Sequence, residues 1–137
     1  MPANKFDRKA IVLARMAAIP AQVKEAARER LEEQGGFLDD QIKAVVPVDE
    51  GDLRDSVEWH RNDRPDKIAI VVTEGRGQED DPLNRKARAH EFGRPDMDAQ
   101  PHFFPTYRAW KKKMASRVNS AARRAIRGSR VRRARSR

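Results

Sequence analysis

Apolar residues in the first third of the chain recur at helical spacing. From residue 6 to residue 33 they follow one another every three or four positions and share one helical face: Val12, Met16, Ile19, Val23, Ala27 and Leu31. Pro20 lies inside this pattern and predicts a kink or a short break. Gly35-Gly36 predicts the end of the helix. A second helical piece follows at 37–46, and the sequence leaves open whether the two form one broken helix or a hairpin.

The middle of the chain changes to strand-like patterns. Residues 47–53 are rich in turn formers, and Asp49 is placed to cap a short turn there. Residues 56–60 then alternate in polarity, and residues 67–73 form the run with the strongest strand preference in the chain. These two strands are expected to pair as an antiparallel hairpin.

Two further helices are predicted after the hairpin. A short one covers residues 84–91, and a long one runs from Thr106, as its cap, to about Ile126. Apolar residues mark one face of the long helix: Tyr107, Trp110, Met114 and Val118. Gly128 is expected to end this helix. The last ten residues carry too little apolar surface to order themselves.

The predicted fold is therefore α+β. It has a long, kinked or broken N-terminal helix, a small antiparallel sheet with a hairpin, a C-terminal helix and a disordered basic tail. Residues 1–127 are expected to form one α+β domain, and residues 128–137 the tail.

The composition of the 137 residues supports a small core: 38% are apolar and 37% are charged. The absence of cysteine excludes disulfides, thiolate metal sites and cysteine catalysis. No apolar run approaches the roughly 18 residues of a membrane span, and no signal-peptide pattern is visible. The chain is expected to be soluble and intracellular when made, with no membrane partner.

The net charge of +9 is concentrated at one end. Residues 108–137 contain thirteen Lys or Arg and no acid, whereas the other residues carry 17 basic and 21 acidic groups. Such an end either is a solvated tail or contacts an anionic partner, which would be nucleic acid, an acidic protein or anionic lipid. The residues predicted for that contact are Lys111, Lys112, Lys113, Arg123, Arg124, Arg127, Arg130, Arg132, Arg133 and Arg135. Tyr107 and Trp110 beside them could stack on single strands, but their helical spacing favours a core role.

No motif indicates catalysis, a cofactor or a metal. His90, Glu91 and His102 could be drawn together as ligands, but they lack the paired spacing of zinc sites. Gly75-Arg76-Gly77 lacks the strand and helix that a nucleotide-binding loop needs. An acidic group along the turn is more typical of caps and solvated charges than of a two-metal nuclease: Asp39, Asp40, Asp49, Glu50, Asp52 and Asp55. The chain is expected not to be an enzyme.

Residues 90–105, HEFGRPDMDAQPHFFP, combine three prolines with three phenylalanines. The prolines fix backbone angles, so that this segment holds an extended shape at little entropic cost. Gly93 permits a sharp bend after Phe92. The phenylalanines are expected to anchor the segment either in the core of their own subunit or against a neighbour: Phe92, Phe103 and Phe104.

Two segments together resemble the small head–tail joining, or tail-completion, proteins of long-tailed bacteriophages. The first is VPVDEGDLRDSVEW, at 46–59, and the second is ARAHEFGRPDMDAQPHFFPTYRA, at 87–109. The residues that match the family pattern are Asp49, Gly51, Leu53, Arg54, Ser56, Glu91, Phe92, Gly93, Met97, Ala99, Gln100, Pro101, Phe104 and Pro105. His102 departs from the pattern, since the family often has phenylalanine there. Gly35-Gly36 and the arginine-rich end also lie outside it.

The resemblance implies a structural virion protein without catalytic activity, made in the host cytoplasm and placed at the neck. Such proteins complete the tail and join it to the head connector, as a ring around the DNA channel. The implied partners are further copies of the chain, with a hexamer favoured over a dodecamer, and neighbouring tail-terminator, tail-tube or connector proteins. The alternative is a basic accessory protein that binds or packages DNA without sequence preference.

Overall fold

A computed structural model of the chain describes residues 5–48, 51–64, 67–75 and 80–135, and the fold is α+β as predicted. Within these ranges five helices accompany one two-stranded sheet. In chain order the elements are α1 (Lys5–Ala18), α2 (Ala21–Val45), α3 (Asp52–Asp55), β1 (Glu58–Arg61), β2 (Ile70–Thr73), α4 (Pro82–Phe92) and α5 (Phe103–Arg135). No helix in the described part of the chain is both long and apolar enough to cross a membrane.

The predicted break at Pro20 is confirmed. Helix α1 ends at Ala18 and α2 begins at Ala21, because Pro20 has an extended ψ of 139°. The carbonyl of Pro20 accepts hydrogen bonds from the backbone N–H groups of Val23 and Lys24, which starts the second helix at once.

The predicted helix end at Gly35-Gly36 is wrong, because α2 continues through both glycines to Val45. The reason is packing against the sheet. A Cβ at Gly35 would lie 2.8 Å from Cγ2 of Ile70 and 3.5 Å from the ring of Trp59. The missing side chain lets α2 lie directly on the hairpin, and this gain outweighs the low helix propensity of glycine.

The predicted antiparallel hairpin is confirmed, although its strands are shorter than expected. Strand β1 pairs with β2 in a register that places Trp59 opposite Val72 and Glu58 opposite Thr73. Beyond the strands, Arg64 and Lys67 form one further antiparallel bridge.

The buried core lies where the end of α2 meets α3, the start of β1 and α4. Its fully or largely buried apolar members are Leu38, Ile42, Val46, Leu53, Val57 and Ala87. Val72, Phe103 and Met114 pack against this cluster from β2 and α5. The core is small, as the composition predicted.

Helix α5 packs antiparallel along α2. The ring of Trp110 meets that of Phe37 edge-on with a centroid distance of 4.9 Å, and Arg117 donates a hydrogen bond of 2.9 Å to Gln34. Tyr107, Met114 and Val118 line the seam between α5, α2 and β2. The apolar face predicted for this helix therefore faces α2.

Three expectations for this last helix require correction. It begins at Phe103 and not at Thr106, whose hydroxyl instead donates a hydrogen bond to the carbonyl of His102 inside the first turn. Gly128 does not end the helix. The segment expected to be disordered is helical through Arg135, while residues 136–137 lie outside the described residues. A 33-residue helix with few apolar positions gains support from tight anchoring of one end and packing on α2.

Candidate functional site

The start of α5 is held by the carboxylate of Glu91, the penultimate residue of α4. Its Oε2 accepts hydrogen bonds from the backbone N–H groups of His102 and Phe103, at 2.9 and 3.1 Å. Its Oε1 accepts one from Phe104, at 3.1 Å. The carboxylate thus satisfies three backbone donors at the helix start, where negative charge is also favoured by the helix dipole.

His102 lies between two buried carboxylates. Its Nε2 is 2.5 Å from Oε1 of Glu74, which follows β2, and its Nδ1 is 3.8 Å from Oε2 of Glu91. Nδ1 also lies 3.2 Å from the carbonyl oxygen of Gln100. Both ring nitrogens face acceptors, so the arrangement favours the doubly protonated imidazolium. We call Glu74, Glu91 and His102 the buried charge cluster.

The surroundings of His102 act in opposite directions on its pKa. Burial lowers the pKa, whereas the hydrogen bond to Glu74 and the negative charges of Glu74 and Glu91 raise it, and the net result is a pKa above the usual value. The cluster joins the end of β2, the end of α4 and the start of α5 through groups that are all buried.

The side chains of this cluster have little contact with solvent, although Glu74 and Glu91 border an open cavity. The side chains of His102, Glu74 and Glu91 are at most 7% exposed, and each is engaged in internal hydrogen bonds. A general base must reach the proton that it abstracts. His90 is buried nearby, with its ring 6.4 Å from that of His102, but the described residues contain no group of three or more possible ligands arranged around a metal.

Two phenylalanines beside the cluster face solvent. Phe92 is 69% exposed and Phe104 is 42% exposed, and their ring centroids are 6.1 Å apart. Phe103 turns inward against the core and touches Phe104 edge-on. We call Phe92 and Phe104 the aromatic patch. It borders an open cavity of about 330 Å³, whose other lining residues are Glu74, Asn84, Ala87, Arg88, Glu91 and Phe103. Of the three phenylalanines that were expected either in the core or against a neighbour, Phe103 lies against the core, whereas Phe92 and Phe104 lie on the surface.

The connection between α4 and α5 gives the aromatic patch a fixed frame. Gly93 adopts a φ of +80°, and a Cβ there would lie 3.0 Å from the backbone nitrogen of Ala99. Gln100 donates a backbone hydrogen bond of 2.6 Å to the carbonyl of His90. Pro101 and Pro105 are exposed, and Pro105 lies in the first turn of α5, where no backbone donor is needed. The segment is therefore tied down at both ends. The prediction that it is extended is wrong, because residues 90–92 belong to α4, Arg94 and Met97 close a tight turn, and residues 103–105 belong to α5.

The residues of the first matched segment have structural roles. Leu53 is fully buried, and Gly51 has the positive φ of +82° that the turn requires. The hydroxyl of Ser56 donates to the carbonyl of Leu53 at 2.6 Å and accepts from the N–H of Gly75 at 2.9 Å, which ties the turn to the end of β2. Arg54 is exposed and pairs with Asp55. Asp49 and its predicted cap lie outside the described residues, as does Glu50.

Two of the other acidic residues form ion pairs with different elements. Asp39 pairs with Lys43 on α2, at 3.0 Å. Asp52 pairs with Lys86 of α4 at 2.9 Å, and the hydrogen bond from Lys86 holds the pKa of that carboxyl below its usual value.

The basic residues predicted to contact an anion all lie on α5, but they do not share one environment. Lys113 lies over the ring of Trp110 with its Nζ 5.3 Å from the centroid, and Arg124 lines a cleft with Glu29 and Glu33 of α2. Lys111 and Lys112 are exposed. Arg123 and Arg127 are exposed as well, whereas the side chains of Arg130, Arg132 and Arg133 lie outside the described part of the chain. Arg135 is exposed in the last turn of α5.

Sequence reasoning missed Glu74 altogether and did not find the role of Glu91 as a helix cap. Glu74 lies 28 positions before its partner His102, and no local pattern marks an ion pair at that distance. One signal was present in the sequence, because Glu74 directly follows the run with the strongest strand preference. A residue at the end of that strand is expected to lie near the core.

The chain matches the sequence model of one protein family, described as “Bacteriophage HK97-gp10, putative tail-component”, over residues 11–93. The match includes Gly51 to Ser56 and Glu91 to Gly93, and it ends before Gln100 and before α5. No curated protein and no solved structure matches the chain.

The family match indicates a structural component of a bacteriophage tail. The chain belongs to the HK97-gp10-like family, because the matched residues make up more than half of its length. This confirms the resemblance to phage tail-completion proteins found in the sequence and places the protein in the virion.

Proposed function

We propose that this tail component completes the tail and joins it to the head connector, as one subunit of a ring around the DNA channel. The observation that carries the proposal is the aromatic patch, since Phe92 and Phe104 are exposed on a rigid corner of the fold. Burying both rings against a neighbour would contribute about 5 kcal/mol at 25 cal/mol per Å². The Glu91 cap holds the patch in place, so that little conformational entropy is lost on docking.

A second apolar surface lies on α1, well separated in sequence from the aromatic patch. Ile11 is 45% exposed, Val12 is 43% exposed, and Ile19 just beyond the helix is exposed as well. A ring requires two different surfaces on each subunit that are complementary to one another, whereas a symmetric dimer needs one. We assign the α1 surface of one subunit to the aromatic patch of the next, and a hexamer is the expected closure.

The oligomer can be tested by size-exclusion chromatography with light scattering, alone and with purified tail tubes. The wild-type chain is expected to elute at six times its subunit mass, or to reach that state on the tube. Phe92→Ser with Phe104→Ser should give monomers with an unchanged circular dichroism spectrum. Val48→Ser is the matched control, because Val48 is 58% exposed but lies in the connection after α2.

A mixing experiment distinguishes a ring built from two different surfaces from other assemblies. The aromatic-patch variant keeps a normal α1, and an Ile11→Ser, Val12→Ser variant keeps a normal patch. Mixed together, they have one intact interface and should form a dimer of two different subunits without any ring. Formation of full rings from this mixture would contradict the assignment.

The joining function itself is tested in phage production without the wild-type gene. Complementation by the wild-type chain should yield joined particles under the electron microscope, and by the aromatic-patch variant should yield filled heads and separate tails. Normal yields of infectious particles with the patch variant would rule out the proposal.

A further inference from the structure

One exposed stripe runs along α5, and only its member Asn119 also borders the cavity between α5, α2 and β2. Its members are separated by three or four positions, every one is exposed, and all are cationic or small and polar: Arg108, Lys112, Ser116, Asn119, Arg123 and Arg127. At 1.5 Å per residue the stripe is about 28 Å long. We call it the cationic stripe.

The four cations of this stripe have no ion-pair partner among the described residues. Helix α5 contains no acid of its own, so that no charge within the helix offsets them. Two other basic residues of α5 contact the fold, since Lys113 lies over the ring of Trp110 and Arg117 donates a hydrogen bond to Gln34. The helix therefore separates cations that support the fold from cations that are free for a partner.

The chemistry of the stripe fits a phosphate backbone better than a protein surface. Specific protein interfaces have an apolar core, often with aromatic residues, and the stripe contains neither. Arg, Lys, Ser and Asn are the side chains that bind phosphate oxygens in protein–DNA complexes. Duplex DNA presents about one negative charge per 1.7 Å along its axis, so a straight surface of this length can meet several phosphates.

The start of α5 is not part of this surface. An open helix N-terminus attracts anions, but here the carboxylate of Glu91 already accepts the hydrogen bonds of three backbone donors. The contact must come from the side of the helix.

We propose that the cationic stripe is a contact surface for the phosphate backbone of duplex DNA, without sequence preference. This goes beyond tail completion, and it can be tested on the purified chain without tails or heads. In the assembled particle the surface would hold or guide the DNA that crosses the junction.

The test is fluorescence anisotropy with labelled duplexes of unrelated sequence, as a function of salt. A variant with Arg108→Gln, Lys112→Gln, Arg123→Gln and Arg127→Gln removes all four cations and keeps helix-forming side chains. The expected result is an affinity at least about tenfold weaker at about 50 mM salt. The slope of log affinity against log salt should fall by about 3 to 4, since each lost phosphate contact removes about 0.9.

The matched control removes the same charge from other exposed positions: Arg8→Gln, Lys9→Gln, Arg15→Gln and Arg85→Gln. It should keep the wild-type salt slope, because exposed charges beyond about 10 Å are screened. Circular dichroism and thermal unfolding should show both variants folded. Equal losses in the two variants would show an effect of net charge alone and would overturn the proposal.

The alternative ligand of the cationic stripe is an acidic protein. Polyglutamate serves as its substitute in the same anisotropy assay. Tighter binding of duplex DNA than of polyglutamate, with loss confined to the stripe variant, supports the proposal. Binding of polyglutamate that equals or exceeds binding of DNA overturns it, as does a preference for one DNA sequence.

Discussion

Charged residues near the two ends of α5 lie in opposite environments. At the start, Glu91, His102 and Glu74 are buried, and each charged atom faces a partner within the fold. Further along, Arg123 and Arg127 are exposed and have no ion-pair partner among the described residues. Burial makes an unpaired charge costly, so that loss of any member of the first group should destabilise the fold. An exposed unpaired charge costs little free energy, so Arg123 and Arg127 remain available for a partner.

The largest effect is expected when the helix cap is removed. Glu91→Ala leaves three backbone donors at the start of α5 without an acceptor and leaves His102 beside a single carboxylate. Loss of one partner of a buried charged group costs about 3–5 kcal/mol. We expect this decrease in the free energy of unfolding in urea, and the aromatic patch should lose its fixed position.

Asp98→Ala is the control for this change, because Asp98 is an exposed acid on the same connection between α4 and α5. Its free energy of unfolding should stay within about 0.5 kcal/mol of the wild type. If Glu91→Ala unfolds no more easily than Asp98→Ala, the cap does not anchor α5.

The next largest effect concerns His102, the cation of the buried charge cluster. His102→Phe leaves Glu74 buried without its cation and is expected to cost about 2–4 kcal/mol. Adding Glu74→Met removes the unpaired carboxylate, so the double variant should be more stable than His102→Phe alone. A double-mutant cycle from denaturation curves measures this coupling, and strict additivity would show that the pair does not interact.

The buried cluster also predicts a dependence of stability on pH. The pKa of His102 is raised in the folded protein, so the folded state binds its proton more tightly than the unfolded state. The resulting stabilisation is fully present below the unfolded pKa of about 6.5 and is lost as the pH rises through the folded value. Unfolding curves at increasing pH should show the wild type losing stability relative to His102→Phe, and parallel profiles would contradict the assignment.

The difference between the two ends of α5 also explains what the sequence could predict. Local patterns found the apolar face that Trp110 and Met114 present to α2, because three- and four-residue spacing is a property of the helix itself. They missed the cap from Glu91 and the pair with Glu74, because these contacts join α4 and β2 to the helix across 11 and 28 positions. The start of α5 depends on those contacts, and its predicted position at Thr106 was therefore wrong.

Glycine was misread for a related reason. Gly35 and Gly128 were both expected to end a helix, and both lie inside one. At Gly35 the cause is the close approach of Ile70 and Trp59, which no local pattern contains. The surface roles of the exposed residues, in contrast, follow from charge and exposure and remain predictions until binding is measured.

The smallest effect is expected from the two glycines, and it distinguishes packed from open regions of the long helices. A Cβ at Gly128 meets nothing within 4 Å, so Gly128→Ala gains helix propensity alone and should stabilise the chain by about 0.5–1 kcal/mol. The same change at Gly35 places a Cβ 2.8 Å from Ile70 and should destabilise by about 1–3 kcal/mol despite equal propensity. Thermal unfolding of the two variants should give shifts of opposite sign. A loss of stability in Gly128→Ala would mean that this part of α5 is not helical, and the cationic stripe would then end before Arg127.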